Sequence, residues 1–239
     1  NGTDTLVGAD LVASWEIDGT DRYIVGAHDL EFSAFELLQG GSLADSFLFS
    51  GSAVFTGSID GTAGNDSLDF SAYSSARSVA LNGVGATDGI AGTEAAITGS
   101  FTNIDNIIGH AAGGDTLTGA DQIATFSFGI DTRYTIGTKF AVFSDFESLV
   151  GGTQTDTFAF TGSANHSGTL NGGSGAGSDI LDFGGYGSDV LINLQTATVT
   201  GLIGTFSDFE NYDGTTAHTD TLIGANTTNT FNITSHNAG

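Results

Sequence analysis

The sequence predicts an all-β protein, a parallel β-helix (β-solenoid) built from a tandem repeat of about 105–111 residues, and three observations predict it. Short apolar segments alternate with period two between Gly-rich turns, and no window carries a helical stripe, so the elements read as strands with one buried face. One phrase returns at long spacing, as DTLVGAD (4–10), DTLTGAD (115–121) and DTLIGAN (220–226), each leading into an aromatic: Trp15, Phe126 and Phe231. Matched aspartates, Asp45 with Asp66 and Asp156 with Asp179, lie 21 and 23 residues apart, about the length of one coil. Sandwich strands rarely reuse a phrase, whereas stacked coils place equivalent residues one above the next and so reward repetition.

Each element follows from the same two patterns. Setting residue n against n+111 aligns Arg22-Tyr23 with Arg133-Tyr134, Phe35-Glu36 with Phe146-Glu147, Gly40-Gly41 with Gly151-Gly152 and Asp45-Ser46-Phe47 with Asp156-Thr157-Phe158. NDSLDFSAY (65–73) then matches SDILDFGGY (178–186), and FTNIDNIIG (101–109) matches FSDFENYDG (206–214) at an offset of 105. A shorter echo runs through FSAFELLQGG (32–41), FTNIDNIIG, FSDFESLVGG (143–152) and FSDFENYDG. Inward faces are read from Phe47 and Phe49, Leu68 and Phe70, Phe158 and Phe160, Leu181 and Phe183, and Val190, Ile192 and Leu194. The organisation expected is one continuous solenoid: residues 1–114 as a first repeat, 115–219 as a second and 220–239 as the start of a third. The truncated third copy suggests an excerpt of a longer array. Roughly ten coils at a strand spacing of about 4.8 Å would give a rod on the order of 50 Å, with unpaired backbone at both ends.

Composition narrows the function classes. A net charge of -24, from 4 basic against 28 acidic residues, repels phosphate backbones and anionic headgroups, so neither nucleic acid nor membrane insertion is expected. No apolar run approaches the length of a membrane span. The absence of cysteine removes disulfides, thiolate nucleophiles and Cys-ligated zinc together.

GTAGNDSLDFSAY (61–73), SVALNG (78–83), FTNIDNIIGHAAGGDTLTG (101–119), GGSGAGSDILDFGGY (172–186) and VLINLQTATVTG (190–201) resemble long repetitive secreted proteins of bacteria. Those are surface adhesins and fibre proteins related to the haemolysin-type calcium-binding repeats (repeats-in-toxin) and to β-helical haemagglutinin-like exoproteins. The resemblance implies an extracellular or cell-surface location and calcium held by turn carboxylates, in units of GGxGxDxxx repeated every nine residues. Gly61, Gly64, Asn65, Asp66 and Leu68 match one unit with Thr62 in place of the second Gly; Gly172, Gly173 and Gly175 match another, with Asp179 two residues late. Neither has a tandem partner, so the candidate calcium residues reduce to isolated sites at Asp66, Asp69, Asp179 and Asp182. The competing expectation is that these Asp accept hydrogen bonds from turn backbone N–H groups.

An enzyme on this fold, a polysaccharide lyase or hydrolase, is the alternative weighed. A lyase needs basic groups to remove a proton and neutralise uronates, and the chain holds only Arg22, Arg77, Arg133 and Lys139. Arg22 and Arg133 are repeat equivalents, which favours pairing with acids across coils. Asp69 and Asp182, opposite to Leu68 and Phe70 in phase, are expected to face solvent, and Glu36, Asp105, Glu147 and Glu210 to form an outward column rather than a catalytic pair. The reading is therefore a non-enzymatic extracellular structural segment, a fibre, filament or adhesin stalk unit. Its expected partners are copies of itself or adjacent repeats stacked end to end, with surface polysaccharide as a further candidate.

Overall fold

The structure, a computed structural model, describes residues 2–227; residues 228–239 of the expected third repeat, Phe231 among them, lie outside these. The described residues form strands and turns with no helix. The first repeat holds β1 (Thr5–Val7), β2 (Ala13–Ile17), β3 (Arg22–Val25), β4 (His28–Glu31), β5 (Leu37–Gln39), β6 (Asp45–Gly51), β7 (Ser58–Asp60), β8 (Ser67–Tyr73), β9 (Ser78–Val84), β10 (Ile90–Glu94), β11 (Ile97–Ile104) and β12 (Asn106–Ile108). Then follow β13 (Thr116–Thr118), β14 (Ala124–Phe128), β15 (Arg133–Ile136), β16 (Lys139–Ser144), β17 (Ser148–Val150), β18 (Asp156–Gly162), β19 (His166–Asn171), β20 (Ile180–Tyr186), β21 (Leu191–Asn193), β22 (Thr198–Val199), β23 (Leu202–Ser207), β24 (Asn211–Asp213) and β25 (Thr221–Ile223).

The chain passes back and forth between a 10-stranded and a 12-stranded sheet, and β21, β22 and β25 form a separate 3-stranded sheet in the order β22-β21-β25. Strands one circuit apart pair in parallel with like side chains opposed: Leu6, Leu38 and Ile59 in the first sheet, and Trp15, Phe47 and Leu68 in the second. Alternate residues from both sheets enter one apolar cluster. Within it the aromatics stack along the sheet, Phe126 on Phe158 at 4.5 Å between ring centres, Phe128 on Phe160 at 4.3 Å and Phe160 on Phe183 at 4.9 Å.

The sheets are mixed rather than wholly parallel. Hairpins β3–β4 and β15–β16 turn on Gly26-Ala27 and Gly137-Thr138, two-residue loops with the first Gly at φ 60°, the type II′ geometry that a right-handed strand twist favours. The antiparallel meander β9–β10–β11 sits within the first sheet, and β14–β15–β16 within the second. Through these meanders both sheets run without a break from one repeat to the next.

The recurring F-S/T-x-F/I phrase encodes a corner. Its third residue, Ala34, Asn103, Asp145 or Asp208, lies in the left-handed region at φ 55–62° in every copy, where Asn and Asp are tolerated best. The Gly-Gly pair that follows lets corners stack backbone on backbone: a Cβ on Gly41 would meet the Ala9 carbonyl at 1.9 Å, and one on Gly152 the Ala120 carbonyl at 2.0 Å.

Candidate functional site

The corners hold the chain's most unusual chemistry, a series of buried carboxylates linked through backbone N–H groups. In the first repeat Gly41 N–H and the Trp15 indole N–H donate to Asp45, at 2.8 and 3.1 Å. Asp45 N–H then donates to Asp66 Oδ1 at 2.8 Å, and Asp66 N–H to Asp105 Oδ2 at 3.1 Å. The second repeat rebuilds the series: Gly152 N–H to Asp156 at 2.7 Å, Asp156 N–H to Asp179 at 2.8 Å, Asp179 N–H to Glu210 at 2.8 Å. The spacings of 21 and 23 residues thus join adjacent circuits directly. Another corner follows the same rule, Asp4 N–H donating to Glu36 and Asp115 N–H to Glu147, both across 32 residues.

Asp45, Asp66, Asp115, Asp156 and Asp179 are buried. Desolvation pushes all five upward against the N–H bonds that favour the ionised form. Asp66 rises to about 7, with the neighbouring charges of Asp45, Asp105 and Asp88 adding to the effect. Asp156 also rises to about 7. One oxygen of each, Asp66 Oδ2 and Asp156 Oδ1, is buried without a hydrogen-bond partner, which a proton on the carboxyl accommodates at lower cost than a charge.

The four candidate calcium residues fall in two kinds of place. Asp66 and Asp179 are the buried corner acids just described. Asp69 and Asp182 lie half-buried in β8 and β20 and close local turns, accepting from Ser71 N–H at 2.8 Å and Gly184 N–H at 2.7 Å. Asp69 lines a shallow cleft of about 240 Å³ with Glu16 and Asp18, and Asp182 one of about 900 Å³ with Asp213 and Asp220. Among the described residues no three carboxylates or imidazoles converge in a group that could hold a metal ion. Of the acids expected as an outward column, Glu36 and Glu210 are exposed and Asp105 and Glu147 half-buried, and each caps one Asp N–H of the neighbouring corner.

Every basic side chain has an acceptor. Arg22 pairs with Glu16 and Arg133 with Asp131, each inside its own hairpin rather than across circuits. Arg77 is buried against Glu94 with its guanidinium 4.0 Å above the Tyr73 ring, and Lys139 donates to the Gly85 and Ala86 carbonyls. Sequence reasoning missed the Arg77–Glu94 pair and the tyrosine clasps, in which Tyr23 and Tyr134 accept from Ala9 and Ala120 N–H at 2.7 Å. The clasps were within reach, since Tyr23 and Tyr134 recur at the same offset as the DTLxGAD phrase. No family model, curated protein or solved structure matches the chain.

Proposed function

We propose that the chain is a two-sheeted β-solenoid segment with a mechanical role, a stiff spacer or fibre unit of a larger bacterial surface or matrix protein. The observation that carries this reading is the corner series: carboxylates that could serve chemistry or metal binding are spent on backbone N–H groups one circuit away, and they recur repeat after repeat. The engagement of Arg22, Arg77, Arg133 and Lys139 supports the same view, because a lyase would need such groups free toward substrate. The extracellular placement rests on the sequence resemblance. In this reading calcium acts as a screening counter-ion over an acidic surface.

Negative-stain electron microscopy of the purified protein at raised ionic strength, and of the producing cell's surface, tests the proposal. Rods or fibres of uniform width are expected; compact particles that never elongate, or release of unsaturated or reducing ends from acidic polysaccharide, would overturn it.

A further inference from the structure

We infer that His166 is an acid-sensitive latch: its neutral imidazole holds the turn between β18 and β19 against the core, and protonation in mild acid releases that turn and opens the cleft beside it. The first repeat supplies the comparison. SGSAVFTGSIDG (50–61) aligns with TGSANHSGTLNG (161–172) at the offset of 111, which sets Phe55 against His166. Both residues enter the core in the same way. Phe55 N–H donates to the Ala96 carbonyl at 2.8 Å and bridges to Ile97, and His166 N–H donates to the Gly201 carbonyl at 2.9 Å with Leu202 opposite. Phe55 is 4% exposed and His166 9%. A position that takes a hydrocarbon ring in one repeat therefore holds a titratable ring in the other.

The imidazole lies against Phe128, ring centres 5.5 Å apart, and its Nε2 bonds to the Glu147 carbonyl at 3.3 Å. A carbonyl only accepts, so Nε2 carries the hydrogen and Nδ1 receives the acid proton. The surrounding groups do little to compensate a charge there. From the start of β17 comes Glu147, whose carboxylate is already held by Gly114 and Asp115 N–H. Beyond Phe128, the β14–β15 turn adds Asp131 and Arg133, which pair with each other, and Tyr186 of β20 places its hydroxyl next to Gly201. His166 itself makes no ion pair among the described residues. Burial pushes the imidazole below its ordinary value of 6.5, outweighing the carbonyl bond and the charge of Glu147, which act the other way.

The sign follows from that direction. Above 6.5 the ring is neutral whether the turn is closed or open; below it the open state binds a proton that the closed state refuses, so closure weakens as pH falls. The buried corner carboxyls work in the opposite sense, since their proton is held in the folded state. One proton allows at most about a tenfold rise in the open population per pH unit.

What opens is a defined wall. Residues 161–165 form one side of a cleft of about 630 Å³, residues 129–132 form the other, and Phe128 also lines it. Thr161 Oγ1 donates to the Phe128 carbonyl at 3.1 Å and ties the two sides together. Ile130 stands fully exposed in the second wall. Withdrawal of the turn joins Phe128 and Ile130 into one apolar surface that exists only in acid.

Amide hydrogen exchange at pH 7.5 and pH 5, corrected for intrinsic rates, tests the latch. Residues 161–171 are expected to lose protection by up to about tenfold per pH unit below 6.5, while the matching residues 50–60 keep theirs. His166→Phe, which copies the first repeat, is expected to abolish the loss, and so is His166→Gln, which cannot take the charge. Phe55→His is expected to carry the acid sensitivity into residues 50–60. An apolar dye is expected to bind the parent at pH 5 and to ignore His166→Phe. Equal losses in both repeats of the parent, a loss that survives in His166→Phe, or an imidazole that titrates at 6.5 by NMR with protection unchanged would each overturn the latch.

Discussion

Asp45 and Asp156 occupy the same corner one repeat apart and differ in one side-chain donor. Trp15 gives Asp45 an indole N–H; the residue in its place is Phe126, which has no donor, and Asp156 Oδ1 is left buried and unpartnered. Burial raises both carboxyls, and Asp156 reaches about 7. The sign of the linkage follows. Between the ordinary value of 3.8 and about 7 the folded state holds a proton that the unfolded chain has lost, so this group's stabilisation is complete below about pH 4 and falls away as pH rises through 7. Asp156→Asn, which keeps the acceptor for Gly152 N–H without the charge, is expected to melt higher than the parent at pH 8 and to match it near pH 4. Phe126→Trp, which restores the missing donor, is expected to shrink the parent's loss between pH 5 and pH 8. Melting curves across that range check both; parallel pH profiles for parent and Asp156→Asn would show that Asp156 is ionised throughout.

Strand pairs carry a natural experiment of their own. The β9–β10 pair of the first repeat sets Val79 against Glu94, and the matching β21–β22 pair sets Ile192 against Val199. Arg77 N–H donates to Asp115 where Val190 N–H donates to Asp220, so Arg77 and Glu94 in one repeat stand where Val190 and Val199 stand in the other. A buried ion pair and an apolar pair thus serve the same position. Glu94→Val alone leaves a buried guanidinium unpaired and is expected to cost about 3–5 kcal/mol. Arg77→Val with Glu94→Val copies the second repeat and is expected to fall within about 1 kcal/mol of the parent, or above it. Urea unfolding of the four members of the cycle measures this; a double variant as unstable as the sum of the singles would refute it. How much of these elements the sequence discloses depends on what the pattern encodes. The Asp45–Asp66 and Asp156–Asp179 spacings disclose the circuit, because a stacked chain must return to the same corner after a fixed length. The hairpins stay hidden because Gly26-Ala27 and Gly137-Thr138 look like the Gly turns that end every strand, and only the Gly-x pair flanked by RYIV and HDLE distinguishes them. The arginine partners were misjudged for the same reason: folding β3 back on β2 brings Arg22 beside Glu16, a proximity that repeat alignment alone does not reveal. The direction of the corner bonds is equally silent in sequence, since the donors are backbone groups common to every residue.

Across the whole molecule 28 acids face 4 basic side chains, each already holding an acceptor, so the surface carries an excess of negative charge that the fold itself does not neutralise. Self-repulsion of this kind weakens a compact state and is relieved by any cation in proportion to screening. A built calcium site behaves otherwise. Calcium accepts six to eight oxygens in flexible geometry, whereas magnesium demands a tight octahedron and sheds water reluctantly, so a cage for one discriminates against the other. Asp66 and Asp179 already hold backbone N–H groups, and Asp69 and Asp182 close turns of their own. The melting temperature is therefore expected to climb with sodium chloride and, at matched ionic strength, to respond equally to calcium and magnesium chloride. Differential scanning calorimetry in the three salts decides the matter. A rise with millimolar calcium that magnesium does not reproduce, lost on Asp66→Asn or Asp179→Asn, would place a specific ion at the corners.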